Sequence, residues 1–121
     1  MYVMDWKKQF EAEMRRAEQA RLGGKEGLAR VCARRAAALV AAEHYRRRGH
    51  ATAGVSALDL LGRLRSDGLL PPRLVPALDH LRQQVDLEFS LPPGVDLLAE
   101  ARSLAKHLLP DSRAKDSKIP P

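Results

Sequence analysis

Alanine and leucine recur every three to four residues along most of this chain, in segments that glycine and proline separate. This spacing is typical of an α-helix, because side chains three and four positions apart share one helical face. Helix-forming residues dominate the composition, while the β-branched and aromatic residues that favour strands are scarce. The pattern predicts an all-α fold, in which four main helices and one shorter helix form an up-and-down bundle.

The first predicted helix covers residues 5–22 and ends at Gly23, and the second covers residues 25–48 and ends at Gly49. The inner face of the first carries Trp6, Phe10, Met14 and Ala17, and that of the second carries Leu28, Cys32, Ala36, Leu39 and Val40. Alanines widen the inner face of the second helix, so a neighbouring backbone can approach it closely. We therefore expect this helix at the centre of the bundle. Glu43 is predicted to be partly buried and to pair with an arginine such as Arg35.

Ser56 is the predicted N-cap of a third helix that ends at Gly68, with Asp59 three positions on as in a capping box. A fourth segment extends to about residue 85. Its regular helix should begin close to Pro76, because proline has no backbone N–H and its ring clashes with the preceding turn. A loop over residues 86–95, whose Phe89 and Leu91 are predicted to pack on the bundle, leads to a fifth helix over residues 96–109.

A chain of 121 residues has room for one core, so we predict one bundle domain over residues 1–109 and a polar tail over residues 110–121. Cys32 is the only cysteine, which excludes an internal disulfide and a thiolate metal site. No stretch reaches the roughly 18 apolar residues of a membrane span, and the first residues lack the apolar centre of a signal peptide. These features predict a cytoplasmic protein that is not bound to a membrane.

The positive charge is concentrated in the first half of the chain. The net charge is +6, and residues 1–50 contain 12 Lys and Arg against 6 Asp and Glu. The second predicted helix holds six of the nine arginines in this half, and the candidates for contacting nucleic acid are Arg30, Arg34, Arg46, Arg47 and Arg48. The alternative is a solvated helix face, on which Glu26 pairs with Arg30 and the last arginines offset the charge of the helix carbonyls.

No catalytic or metal-binding constellation is evident in the sequence. The four histidines, His44, His50, His80 and His107, are spaced unlike any recognised ligand set, so we predict neither a metal site nor a cofactor. Cys32 lies on a predicted inner face, which suits a small apolar residue better than a nucleophile.

The order of segments resembles that of HEPN-domain proteins, which are small helical bundles of bacteria and archaea. The resemblance covers about residues 5–109 and rests on ARVCARRAAALVAAEHYRRRG, SALDLLGRL, LVPALDHLRQQVD and DLLAEARSLAKHL. Some members of this family are ribonuclease toxins, and others accompany nucleotidyltransferases. The active members carry an arginine shortly before a histidine, with four to six residues between the two.

Two pairs of residues have the spacing of that motif: Arg73 with His80, and Arg102 with His107. Where the family places its motif, late in the fourth helix, Arg82 and Gln83 are followed at the motif spacing by Leu87, Glu88 and Phe89 and by no histidine. We therefore assign no catalytic residue from the resemblance.

The expected function is a non-catalytic binding module that contacts either a protein, such as a nucleotidyltransferase, or RNA through a basic helix face. The alternative is a divergent, metal-independent ribonuclease of the toxin type. In that alternative Arg73 or Arg102 would stabilise phosphate charge, and His80 or His107 would move the proton. A homodimer is expected in either case, because a chain of this length buries a modest core and can share an apolar face with a second copy.

Overall fold

The computed structural model describes residues 5–83 and 95–110, and all regular structure within these two ranges is helical. This confirms the predicted all-α class. The five α-helices are α1 (Trp6–Leu22), α2 (Glu26–Arg46), α3 (Ala57–Asp67), α4 (Val75–Arg82) and α5 (Leu97–Leu108), and a 3₁₀ turn over Pro72–Leu74 precedes α4.

Side chains cap three of the helices at their N-termini, where backbone N–H groups have no partner within the helix. Asp5 accepts from the N–H of Lys8 at 3.1 Å at the start of α1. Ser56 Oγ accepts from the N–H of Asp59 at 3.0 Å, which confirms the predicted cap of α3. Asp96 accepts from the first turn of α5 through one oxygen.

At the C-terminal ends of the helices, some boundaries predicted from the sequence agree with the structure and others do not. Gly68 ends α3 with a φ of +64°, a left-handed conformation that glycine adopts without steric cost. Helix α2 ends at Arg46, two residues before the predicted limit, because residues 47–49 form a turn. Helix α4 begins at Val75, next to Pro76 as predicted, and ends at Arg82. The predicted packing of Phe89 and Leu91 lies outside the described residues.

Helix α2 is the centre of the bundle, as its small side chains predicted. It contacts α1, α3, α4 and α5. Its buried residues are Ala29, Cys32, Ala33, Ala36, Ala37, Ala38, Val40, Ala41, Glu43, His44 and Tyr45. The expected inward position of Leu28 is wrong: 49% of this residue is exposed, because it lies in the first turn of α2 at the edge of the bundle.

The other helices each bury an apolar stripe against α2 or against one another. Leucine supplies most of the volume in α3, α4 and α5, while aromatic residues and Met14 supply it in α1. The fully or nearly fully buried residues include Trp6, Phe10, Met14, Leu61, Leu64, Leu78, Leu81, Leu98 and Leu104. The inner face predicted for α1 is therefore confirmed.

Arg34 joins α2 to the end of α4. Its Nε donates to the carbonyl of Leu81 at 2.9 Å, and its Nη2 donates to the carbonyl of Gln83 at 2.5 Å. Carbonyls at a helix C-terminus have no hydrogen-bond partner within the helix and carry partial negative charge. A guanidinium supplies both the missing donors and a compensating positive charge. Burial lowers the pKa of Arg34, but an arginine side chain in a protein stays protonated.

We expect Arg34→Met to lower the free energy of unfolding by about 2 kcal/mol, because charge-assisted hydrogen bonds to two carbonyls are lost. Arg34→Lys should recover only part of this, since an ammonium cannot reproduce the planar fork of donors. The matched control is Arg35→Met at the adjacent exposed position, which should change stability by less than about 0.5 kcal/mol. Urea unfolding followed by circular dichroism measures all three, and equal losses for Arg34→Met and Arg35→Met would contradict the assignment.

Candidate functional site

Four arginines converge where α2 ends and α3 passes beside it. Arg46, Arg47 and Arg48 follow one another at the end of α2, and Arg63 lies on α3. All four are exposed. Arg63 reaches the same place through its contacts with Tyr45 of α2 and with His50 just beyond it. We call these four arginines the basic end.

Glu43 anchors two of these arginines from within the bundle. Only 8% of this residue is exposed, and its carboxylate accepts from Arg46 through one oxygen and from Nε of Arg47 at 2.7 Å through the other. The expected burial of Glu43 and its pairing with an arginine are confirmed, but its partners are Arg46 and Arg47 and not Arg35, the example named from the sequence. Arg46 and Arg47 lie one helical turn away, whereas Arg35 is about 12 Å away along the helix axis.

His44 holds the third arginine. Arg48 donates to the backbone carbonyl of His44 at 3.1 Å, and the same nitrogen lies 3.2 Å from Nδ1 of the ring. Because a guanidinium can only donate, Nδ1 is the acceptor and the ring is the neutral tautomer with its proton on Nε2. The ring is buried, and its Nε2 has no hydrogen-bond partner among the described residues. Burial lowers the pKa of His44, and the charges of Arg48 and Arg47 lower it further against the opposing effect of Asp67.

Tyr45 connects α2 to α3 and lies beneath Arg63, the fourth arginine of the basic end. Its hydroxyl donates to a carboxylate oxygen of Asp67 at 2.5 Å, and the guanidinium carbon of Arg63 lies 4.4 Å from the centre of its ring. Arg63 also contacts Nδ1 of His50 at 3.0 Å. Burial raises the pKa of Tyr45, and the hydrogen bond to Asp67 raises it further, so the phenol remains protonated and keeps donating.

We expect Tyr45→Phe to lower the free energy of unfolding by about 1–2 kcal/mol, because the ring stays but Asp67 loses a hydrogen-bond donor. A double-mutant cycle with Asp67→Ala, which removes the acceptor, isolates the energy of this bond from the other effects of the two substitutions. Chemical denaturation measures the four proteins, and a coupling energy near zero would show that the bond does not stabilise the fold.

His44 should make the protein less stable as the pH falls. The unfolded chain takes up a proton near the ordinary histidine pKa of about 6.5, while the folded chain resists protonation until the pH reaches its lower folded value. Stability contributed by the neutral ring is therefore complete above about pH 6.5 and is lost progressively below it. We expect the decrease in unfolding free energy between pH 7.5 and 5.5 to be smaller in His44→Gln than in the unsubstituted protein. The exposed His107→Gln variant is the control, and a His44→Gln curve parallel to that control would contradict this role.

The five arginines predicted to contact nucleic acid separate into two groups. Arg30 and Arg34 lie on the face of α2 that also carries Ala37 and Ala41, and because both alanines are fully buried, this face packs inside the bundle. Arg34 binds the end of α4, and Nε of Arg30 is buried without a hydrogen-bond partner among the described residues. Arg46, Arg47 and Arg48 remain together on the surface, where Arg63 joins them. No pattern in the sequence points to Arg63, because it belongs to another helix.

The two pairs that have the spacing of the ribonuclease motif, Arg73 with His80 and Arg102 with His107, have different surroundings. His80 contacts Glu100 across α4 and α5, with Nδ1 3.0 Å from Oε2 and about a fifth of each side chain exposed. Burial raises the pKa of Glu100, and His80 opposes this effect. Arg73 is exposed in the 3₁₀ turn before α4. The His80–Glu100 pair has no signal in the sequence, because its members lie on different helices.

Arg102 and His107 do not converge. Arg102 is directed toward α1, where it binds Glu11 at 3.4 Å and Glu18 at 3.6 Å and lies near the ring of Phe10. His107 lies five positions further along α5, which places it about 140° around the helix from Arg102. Its side chain is exposed.

Comparison with known proteins gave no match: no family model, no curated protein and no solved structure is similar to this chain. In the two described ranges, no helix has the length and apolar character needed to cross a membrane. Those ranges also contain no group of three or more histidine, cysteine, aspartate or glutamate side chains that could hold a metal ion. The basic end brings four exposed guanidinium groups together on the described surface, and guanidinium groups form strong hydrogen bonds with anions.

Proposed function

We propose that this chain is a non-catalytic binding module that contacts the phosphate backbone of RNA through the basic end. The observation that carries the proposal is the exposure of four arginines held together at one place by Glu43, His44 and Tyr45. Four guanidiniums face the two carboxylates of Glu43 and Asp67, so a net charge of about +2 is left for an anionic partner.

The anchoring of the arginines favours binding. A guanidinium has five N–H donors, so Arg46 and Arg48 can each keep their internal contact and still present donors to a phosphate oxygen. Because these side chains are already held by internal contacts, they lose less conformational freedom when a ligand binds. The arrangement therefore suits repeated phosphates better than a mobile run of lysines would.

Among the described residues, no phenyl, phenol or indole ring is exposed at the basic end, and the exposed ring there is the imidazole of His50. This composition indicates the mode of binding. Tyr45 is buried beneath Arg63, and Trp6 and Phe10 belong to the core. Sequence-tolerant stacking on single-stranded bases needs exposed rings, whereas backbone contacts need only positive charge. RNA is favoured as the polyanion by the resemblance of the segment order to HEPN-domain proteins.

The proposal predicts that a fluorescent RNA hairpin binds the protein with an affinity that falls steeply as the salt concentration rises. In Arg46→Gln/Arg48→Gln, the slope of log K against log salt concentration should become shallower by about 1.5, since two phosphate contacts are lost. The matched control is Arg15→Gln/Arg35→Gln, which removes the same charge from exposed positions elsewhere. Fluorescence anisotropy measures the three proteins after circular dichroism has shown equal helicity. Equal weakening in both double variants would show that net charge, not the basic end, drives binding.

The proposal includes the formation of a homodimer. Leu22 and Leu28 flank the turn between α1 and α2, and they are 88% and 49% exposed. Exposed leucines at one end of a bundle favour contact with a second copy. Light scattering coupled to gel filtration should give the mass of a dimer for the unsubstituted protein and of a monomer for Leu22→Ser/Leu28→Ser. A monomer in both samples would contradict this part of the proposal.

The His80–Glu100 contact favours a second candidate function, a metal-independent ribonuclease. A carboxylate on Nδ1 orients an imidazole so that its other nitrogen can exchange a proton with a substrate, as in catalytic dyads. Incubation of labelled RNA with the protein, with His80→Ala and with His107→Ala tests this candidate. Cleavage that is lost only in His80→Ala would support it, and intact RNA in all three reactions would remove it.

A further inference from the structure

A groove of about 500 Å³ lies between α1, α2 and the segment that leads into α3. Its wall is mostly aliphatic, and its α2 side presents Ala38, Leu39 and Ala42. Val55 and Leu60 form the opposite side, and 41% of Val55 is exposed. A volume of this size and a mostly apolar wall are typical of sites for small organic ligands.

The polar groups of the groove include three charged side chains. Glu13 and Arg16 on α1 form an ion pair with Nη1 3.1 Å from Oε2, and only 17% of the Glu13 side chain is exposed. Arg35 on α2 is exposed and makes no ion pair and no hydrogen bond in the described part of the chain. Two guanidiniums against one carboxylate leave a net charge of about +1, and Arg35 is the group that carries it without a partner.

We propose that this groove binds an amphipathic carboxylic acid, with the carboxylate on Arg35 and the aliphatic chain along the apolar wall. Charge complementarity selects the head group, because a guanidinium and a carboxylate match in geometry and charge. The distance along α2 from Arg35 to Ala42 is about 10 Å, which accommodates an extended alkyl chain of medium length. None of the described residues that line the groove is aromatic, so none of them favours a nucleobase or another flat ring.

This site does not depend on the proposed RNA contact. The groove uses Arg35 and the apolar residues around it, whereas the basic end uses Arg46, Arg47, Arg48 and Arg63. Loss of either activity by substitution should leave the other unchanged, so the two proposals fail separately.

Decanoate is the probe, kept below the concentration at which it forms micelles. Isothermal titration calorimetry should show saturable binding of one decanoate per chain. Decanol, which has the same chain without the charge, and acetate, which has the charge without the chain, should each bind at least about tenfold more weakly. In ¹H–¹⁵N spectra, the amide resonances that shift should be those of the groove, including Leu39, Ala42 and Val55.

Two substitutions with matched controls locate the ligand. Arg35→Gln should weaken decanoate binding about tenfold, because one charge-assisted contact is lost, while Arg15→Gln should leave it unchanged. Val55→Glu places a negative charge in the apolar wall of the groove. It should weaken decanoate binding at least as much as Arg35→Gln does. Its control is Leu69→Glu outside the groove, a residue that is 42% exposed and so matches Val55 in accessibility.

Three results would overturn the proposal. The first is the absence of saturable decanoate binding by the full chain. The second is binding that Arg35→Gln and Arg15→Gln weaken equally, which would place the ligand elsewhere. The third is a shift of the groove resonances with protein concentration alone that decanoate does not reverse, which would assign the groove to a second copy of the chain.

Discussion

The rest of the structure depends on how closely α2 can be approached by its neighbours. Alanine contributes six fully or nearly fully buried positions along this helix, and four other helices contact it. A large side chain at those positions would hold the neighbouring backbones apart, because protein interiors are packed as tightly as organic crystals. The volume of the core therefore comes from leucines and aromatic residues on the outer helices, which fill the space that the alanines leave.

The same packing determines what the arginines do. On the face of α2 that enters the bundle, Arg34 becomes part of the fold by binding the carbonyls that end α4. Beyond the last alanines, Glu43, His44 and Tyr45 are still buried. Glu43 holds two arginines at the surface, and His44 and Tyr45 hold one each. The buried polar groups at this end of α2 thus convert a run of positive charge into a fixed arrangement. That arrangement is the basis of the proposed contact with RNA.

The sequence predicted the helices well, because helical periodicity and local caps are properties of neighbouring residues. The alternation of apolar residues located α1, and Ser56 and Gly68 marked the two ends of α3. Leu28 was misplaced because periodicity gives the direction of a side chain but not where the neighbouring helix ends.

Only the part of the candidate site whose residues are adjacent in the chain could be predicted from the sequence. Arg46, Arg47 and Arg48 are adjacent in the chain and could be found from it, but their contact with Arg63 depends on how α3 crosses α2. The His80–Glu100 pair and the binding of Arg34 to α4 also join different helices. No spacing within one segment encodes contacts of this kind, since they arise from packing angles that the sequence pattern leaves open.

The most direct test of the account is the effect of enlarging a buried alanine of α2. Ala37 is fully buried at the centre of this helix, whereas Ala99 is exposed on α5. We predict that Ala37→Leu lowers the free energy of unfolding by about 1–3 kcal/mol in urea denaturation, because the added volume forces the helices apart. Ala99→Leu should change it by less than about 0.5 kcal/mol. Equal stability of the two variants would contradict the claim that close approach to α2 holds the bundle together.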